Sequence, residues 1–485
     1  MRREWSRLQL TFLMLLLQTI IKRSTSVLNS RHLSTRTRIA CRMSETTSSL
    51  SPITAVLAEC DAEGILSCGE VLKAGGLVAF PTETVYGLGA NALNDSSVKS
   101  IFAAKKRPST DPLIVHILGK EDIYDLFDFD GTKLGTSKAQ LVCEHLAASF
   151  WPGPLTIIFK ARENVPMSVT AGTGFVGLRS PKHPIARRLL EAAGLPIAAP
   201  SANRFGHVSP TSADHVMQDL GLEKVTILKD DVSLSGGCTI GIESTVCRVS
   251  GSGDVITILR CGAVTSEDII AALAGSRVED LADVSVIVEN EKALIKKTPT
   301  AMSSDGHAKA VEGPDDETAA VAPGQMIKHY APDIPTYIIR ANSLALRNRL
   351  DDVLSLVEDG GSADAHSPAS STSTSTAVSD MSIRKAFVID FGGQLNDLEK
   401  VCSVYCDLSV EGKPEEACNR IFEVLRRAED PALSVPVNSD GSGEGVRIVL
   451  LPDLRELAER SELVRALWER LHRAASGTFV VTNSK

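Results

Sequence analysis

The stretch Gly75-Gly76-Leu77-Val78-Ala79-Phe80-Pro81-Thr82-Glu83-Thr84-Val85-Tyr86-Gly87-Leu88-Gly89 constrains this chain more than any other. Its apolar run, Leu77 to Phe80, predicts a short buried strand. Pro81 ends the run, and hydroxyl, carboxyl and small residues follow before a Gly-x-Gly turn. A strand that releases polar side chains at its C-terminal edge delivers them to a pocket. A helix is predicted from about Asp95, as N-cap, through Val98, Ile101 and Phe102 to Lys105-Lys106-Arg107. Lys105 and Arg107 then fall where a helix gives way to a loop. Cations there complement the helix dipole, so the basic trio taken alone serves equally well as a cap. Thr-Glu-Thr after a strand is likewise ordinary turn chemistry. The two halves together are far more specific than either.

Around this feature, short apolar runs alternate with amphipathic segments from Thr54 to about Gly275. Strands are expected at Leu77–Phe80, Leu113–Ile117, Leu155–Phe159, Val176–Arg179, Ile197–Ala199, Thr245–Val249 and Val255–Leu259. Helices are expected at Pro184–Ala193 and, behind a Thr-Ser-Glu-Asp cap, at Ser266–Leu273. The pattern is that of an α/β domain, residues 54–275, built on a twisted, mixed sheet. Residues 276–332 read as a linker, polar and aperiodic from Lys297 to Ala322. Its far end, Pro323-Gly324-Gln325-Met326-Ile327-Lys328-His329-Tyr330-Ala331-Pro332, is a constrained segment carrying a Lys, a His and a Tyr. As a structural element it would be a tether docked by its aromatic ring.

A second α/β domain spans residues 333–480. Strands are expected at Thr336–Ile339, Ala386–Asp390 and Arg447–Leu451, and helices at Leu344–Glu358, Glu415–Arg427 and Glu456–Ala475. A Ser/Thr/Ala-rich insertion at about 360–382 reads as a disordered surface loop. No glycine fingerprint follows a strand here, so no dinucleotide site is expected.

With 485 residues the chain exceeds one typical core, and its 43% hydrophobic and 23% charged content is ordinary for a soluble globular protein. The net charge of -9 argues against a surface that coats nucleic acid, though it leaves room for a local basic groove. The ten cysteines lack a Cys-x-x-Cys pair, which favours free thiols over a disulfide framework or zinc site. Residues 1–50 are rich in Arg, Ser and Thr, and their apolar stretch from Leu8 to Ile21 falls short of the roughly 20 residues of a membrane span. A targeting presequence is expected, with a mitochondrial or other organellar address. A second start at Met43 would give a cytoplasmic form. No stable membrane partner is expected of the mature protein.

Further polar clusters fall at strand ends. Arg179 closes one strand, Ser201 and Asn203 follow another, Ser209 lies in the next loop, Ser244 leads into a strand, and Arg260 ends one. Lys105, Arg107, Arg179 and Arg260 together suit a polyanion such as a nucleoside triphosphate, because arginine forks grip phosphate oxygens bidentately. His116, at the end of a strand, fits a core histidine as well as a site.

The motifs Phe80-Pro81-Thr82-Glu83-Thr84-Val85-Tyr86-Gly87-Leu88-Gly89, Lys105-x-Arg107-Pro108, Pro112-Leu113-Ile114-Val115-His116, Trp151-Pro152-Gly153-Pro154-Leu155-Thr156, Ser201-Ala202-Asn203 and Ser244-Thr245-Val246 resemble the YrdC family in order and spacing. The Pro-Gly…His-Tyr-Ala-Pro segment and the α/β domain after it resemble the family's long, two-domain form. That resemblance implies a YrdC-like catalytic domain, a linker and a smaller C-terminal Rossmann-like α/β domain. It implies an enzyme, a nucleotidyltransferase that joins L-threonine, bicarbonate and ATP into threonylcarbamoyl-adenylate and pyrophosphate. A downstream transferase would then modify the adenosine beside the tRNA anticodon, with tRNA contact possible. It assigns Thr84, His116, Arg179, Ser201 and Ser244 to threonine. Lys105 and Arg107, the catalytic pair, go to ATP together with Asp111, Phe175, Ala199, Asn203, Ser209, Arg260, His329 and Tyr330. Mg2+ would ride on the ATP phosphates without protein side-chain ligands. Two departures are local: Asp111 stands where the family often has Asn, and Lys328 where Arg commonly precedes the His-Tyr pair. The reading of a different class is a non-catalytic double-stranded RNA-binding or translation-factor module, which the net acidity disfavours.

Overall fold

Among the described residues there are two sheets, one mixed and one wholly parallel. The structure is a computed structural model that describes residues 54–126, 137–276, 281, 283–289, 329–339, 386–400, 402–430, 433 and 448–480. The first sheet is built from β1 (Val56–Ala58), β2 (Val78–Phe80), β3 (Gly87–Asn91), β4 (Ile114–His116), β5 (Leu155–Lys160), β6 (Phe175–Arg179), β7 (Ile197–Ala198), β8 (Thr226–Leu228), β9 (Thr245–Val249), β10 (Val255–Arg260) and β11 (Ser285–Val288). Among the described residues its order is β1-β8-β2-β3-β7-β4-β6-β5-β9-β10-β11. β2–β3, β3–β7, β4–β7, β5–β6 and β9–β10 are antiparallel, and the other neighbours are parallel. This is the mixed sheet expected of residues 54–275.

The register of this sheet positions the site. β4 and β6 run parallel with His116 opposite Arg179, so both side chains leave the sheet at the same edge. β9 and β10 pair through Arg260 and Val246, and the register shifts between Ile258 and Arg260. Such an irregularity re-aims the side chain beside it. An isolated bridge joins Gly87 to Ser201, drawing the Thr82–Thr84 turn and the Ser201–Asn203 loop together.

Several expectations are corrected. The Gly87–Gly89 segment is not a turn but β3, antiparallel to β2. A Cβ on Gly89 would lie 2.7 Å from Ile197 Cγ2 and 2.9 Å from the Phe80 ring, so glycine is what lets this strand pack so closely. The cap of the Asp95–Lys105 helix is Asn94, whose side chain accepts from Ser97 N, and Asp95 is the first helical residue. Residues 276–332 are not all linker: Ser285–Val288 extends the first sheet alongside β10. Glu456–Ala475 is two helices, Arg455–Ala458 and Glu462–Ala474, because Ser461 caps Val464 N and starts the second. Helices Ala62–Lys73, Lys138–Phe150 and Ala213–Leu220 had no counterpart in the expectations.

The second sheet contains β12 (Thr336–Ile339), β13 (Ala386–Asp390), β14 (Val404–Asp407), β15 (Ile448–Pro452) and β16 (Phe479–Val480), ordered β14-β13-β15-β12-β16 among the described residues. Every pair is parallel. Helices Pro414–Arg427 and Glu462–Ala474 turn Phe422, Arg426 and Arg470 toward the first domain, and residues of both domains share one buried apolar cluster. The described cysteines are all free. The expected presequence, Lys297–Ala322, Pro323–Lys328, the expected Leu344–Glu358 helix and the expected 360–382 insertion lie outside the described residues.

Candidate functional site

At the foot of β2, the Thr82 hydroxyl donates to Val85 O at 2.6 Å and accepts from the Thr84 and Val85 amides. This tight turn turns Thr84 and Glu83 toward Arg179. One terminal nitrogen of Arg179 donates to Thr84 Oγ1 at 3.0 Å, the other to Glu83 Oε1 at 2.6 Å, and Nε reaches Gly153 O at 3.3 Å. Glu83 Oε2 accepts from the Lys182 and His183 amides. Burial alone would raise the Glu83 carboxyl, but the Arg179 charge and these hydrogen bonds hold it below its ordinary range. His116 stands beside them with its ring edge-on to Phe80, 5.8 Å between centroids. Burial, reinforced by Arg179, lowers His116 to about 3, so its ring is neutral at physiological pH.

A second cluster of cations faces this one. Arg107 pairs with Asp111 at 2.8 Å and donates to Pro112 O at 3.1 Å. Arg260 donates through Nε and a terminal nitrogen to Ser244 O and, at 3.1 Å, to Ser244 Oγ. Ser244 Oγ also meets Thr156 Oγ1 at 2.7 Å. Burial lowers both arginines from their ordinary values.

His329 and Tyr330 complete the enclosure. Tyr330 has a left-handed backbone, φ 62°, and stacks on Phe422 of the second domain with centroids 5.2 Å apart. His329 packs edge-on between Phe205 and Tyr330. The resulting cavity measures about 50 Å3. Ligand pockets typically run about 300–1,000 Å3, so His329 and Tyr330 leave little free space in the cavity in this form.

Thr84, His116, Arg179, Ser201 and Ser244 line the cavity, and so do Arg107, Ala199, Arg260, His329 and Tyr330. Of the polar atoms that border it, Arg107 Nε, His116 Nδ1, His329 Nδ1 and Tyr330 OH are buried with no hydrogen-bond partner. Each such group costs roughly 1–3 kcal/mol, a cost that a polar ligand would remove.

Other expected residues stand elsewhere. Lys105 is buried behind the wall, where its ammonium donates to Ser201 O at 2.6 Å, to Asn203 O and to Asn203 Oδ1. Burial, then repulsion from Arg107, pulls it well below the usual lysine value. Asn203 supports the same loop by donating to His207 O and Arg204 O. Ser209 donates to Glu243 Oε1 at 2.7 Å, and Asp111 is committed to Arg107. Phe175 opens β6 and packs near Ile158 and Val246, four residues or roughly 13 Å of strand from Arg179.

Sequence reasoning missed Glu243, which lines the cavity, and Glu83, which sets Arg179. The available signal was a carboxylate inside the Thr82-Glu83-Thr84 motif and another immediately before Ser244-Thr245-Val246. Glu83, Asp111 and Glu243 are each paired with an arginine. Outside the cavity, His207 Nδ1 meets Asp219 at 2.8 Å and Nε2 meets Glu429 at 3.0 Å, tying the two domains together. Arg426 also reaches Asp219 at 2.7 Å, and Arg204 reaches Asp333 at 2.7 Å.

Comparison with known proteins gives a consistent result. A family model described as "Telomere recombination", that of the Sua5, YciO and YrdC proteins, matches residues 70–262. A second, described as "Threonylcarbamoyl-AMP synthase, C-terminal domain", matches residues 276–476. The threonylcarbamoyl-AMP synthase of Pyrococcus abyssi is 36% identical over 290 residues, covering 60% of this chain and 72% of that protein. The enzyme of the same name from Bacillus subtilis is 37% identical over 299 residues, covering 61% and 71%. The crystal structure of P. abyssi Sua5 complexed with L-threonine aligns with a TM-score of 0.59 at 28% identity, covering 88% of this chain and 98% of that one.

Proposed function

The chain belongs to the Sua5–YciO–YrdC family in its long, two-domain form, and from that premise we propose that it is a threonylcarbamoyl-AMP synthase acting in tRNA modification. The observation that carries this reading is one cavity with two chemically different ends. Arg179 is bonded to Thr84 at one, Arg107 and Arg260 stand at the other, and His329 and Tyr330 line the same cavity. A relative of this chain has been crystallised with L-threonine. The names of the relatives favour this reading over a non-catalytic RNA-binding module.

The proposed reaction is built from these groups. The threonine carboxylate meets Arg179, and its hydroxyl and amine find Thr84, Ser201, Ser244 and the neutral ring of His116. A neutral imidazole is suited here because it can hydrogen-bond the amine without adding a like charge. Bicarbonate gives up hydroxide to become carbon dioxide, the free amine adds to its carbon to form a carbamate, and the amine proton leaves with that hydroxide as water. A carbamate oxygen then bonds to the α-phosphorus of ATP, the bond from that phosphorus to the bridging oxygen breaks, and pyrophosphate leaves. Arg107 and Arg260 neutralise the phosphate charge that builds at the transition state, with no covalent nucleophile required. Lys105 acts through the backbone, by fixing the Ser201–Asn203 loop. Mg2+ is proposed to be held by phosphate oxygens, where it would offset their charge. The His329–Tyr330 segment opens for substrates and closes to keep water from the labile adenylate. That lability calls for a transferase that takes the product directly. We extend the proposal to an organellar address carried by residues 1–50, which a reporter fused to that segment would reveal.

The test is pyrophosphate release. It should require ATP, threonine and bicarbonate together, and ATP cleavage at equal rate without threonine would sink the reading.

A further inference from the structure

The second domain enters the wall of the pocket through a fully buried arginine. Arg470, on the Glu462–Ala474 helix, donates through Nε to Glu243 Oε2 at 3.2 Å and through a terminal nitrogen to Cys261 O at 2.9 Å. Glu243 and Cys261 are the chain neighbours of Ser244 and Arg260, the two residues that hold each other at the cation end. The segments run in contact here: a Cβ on Gly262 would lie 2.7 Å from Glu243 O. One guanidinium therefore straddles both strands of the structure that aims Arg260. The other oxygen of Glu243 accepts from Ser209, so the same arginine also fixes the Ser209 loop.

The loop leading into Glu243 is held by the second domain as well. Asn419 donates to Cys238 O at 3.0 Å, and a Cβ on Gly241, whose φ is 76°, would lie 2.3 Å from Asn419 O. On its other side the loop reaches the amino-acid end, where Ile240 N donates to Glu83 O at 2.8 Å.

We infer that Arg470 is a positioning residue for the nucleotide end of the pocket, so that the second domain supplies part of the geometry that binds ATP. A buried Arg–Glu pair seldom stabilises a fold more than an apolar pair of the same volume. Arg470 moreover leaves one terminal nitrogen buried without a partner. Stability alone is a poor reason for such an arrangement, and orientation of Arg260 is a better one. Burial opposes the charge on Arg470, but Glu243, then Tyr330 and Glu469, outweigh it and raise its value above the usual arginine one. The guanidinium thus stays a fixed cation.

This inference rests on the proposed reaction, and the experiment separates the two. ATP and threonine affinities of the full chain are measured by calorimetry, beside pyrophosphate release and thermal melting. The proteins are the wild type, Arg470→Lys, Arg470→Met, Glu243→Gln and the double variant Arg470→Met with Glu243→Gln. The expected result is a tenfold or greater loss of ATP affinity in Arg470→Met, with a clearly smaller loss of threonine affinity, since Ser244 borders the same segment. Arg470→Lys should recover part of that loss, and the double variant should lose less than the sum of its single changes. Equal losses for both ligands, or a loss of ATP binding that simply tracks the melting temperature, would overturn the positioning role. Wild-type protein that binds ATP but releases no pyrophosphate with threonine would contradict the proposed reaction while leaving Arg470 to be judged by ATP binding. Wild-type protein that binds no ATP would overturn both.

Discussion

Arg179, proposed to meet the threonine carboxylate, has its fork committed in two directions, to Glu83 and to Thr84. A lysine keeps the charge but cannot span both partners. Arg179→Lys should therefore raise KM for threonine tenfold or more with a much smaller change for ATP, as steady-state kinetics would reveal. Tyr330 makes the opposite kind of case, since its hydroxyl is buried without a partner in this form. Tyr330→Phe should stabilise the substrate-free chain by about 1 kcal/mol in urea unfolding while lowering turnover. If stability falls instead, the hydroxyl has a structural partner and the ligand argument fails. At this scale the sequence revealed which residues matter better than what each does. Lys105 and Arg107 look alike in the motif, yet Lys105 faces carbonyls of the Ser201–Asn203 loop and Arg107 borders the cavity. The difference lies in the left-handed cap at Lys106, φ 54°, which breaks the helical phase between them and cannot be read from residue types.

Among the elements, the Pro184–Ala193 helix and the Thr245–Val249 strand have the bounds that their residues predict. Proline at the start and Gly194 at the end punctuate the helix, while β-branched residues mark the strand. β3 escaped notice because glycines suppress strand propensity, and what makes it a strand is the closeness of Phe80 and Ile197. Gly89→Val should consequently destabilise the fold by roughly 2 kcal/mol or more, seen as a lower urea midpoint, since neither neighbour has room to yield. β8 and β11 carry β-branched residues but are only three and four residues long, too short for a period to show. The irregularity at Ile258–Arg260 is equally silent in the sequence, although it bears directly on where Arg260 points.

At the scale of the whole molecule, the two domains meet through the pocket and through His207, which bridges Asp219 and Glu429. Burial works against protonation of His207, but hydrogen bonds to both carboxylates win and raise its value above the usual one. A group raised on folding stabilises fully below its unfolded value, about 6.5, and that stabilisation fades as pH climbs through the raised value. The stability difference between wild type and His207→Gln should hence shrink as pH rises from 6 to 9, read by thermal melting. A difference independent of pH would mean that His207 contributes packing alone. The central claim concerns chemistry, that one pocket joins three small molecules into one adenylate. Supplying 13C-bicarbonate with threonine and ATP and weighing the product tests it most directly. The expected product is an adenylate containing threonine and AMP with the labelled carbon between them. A threonine adenylate without the label, or label found only in free carbonate, would contradict it.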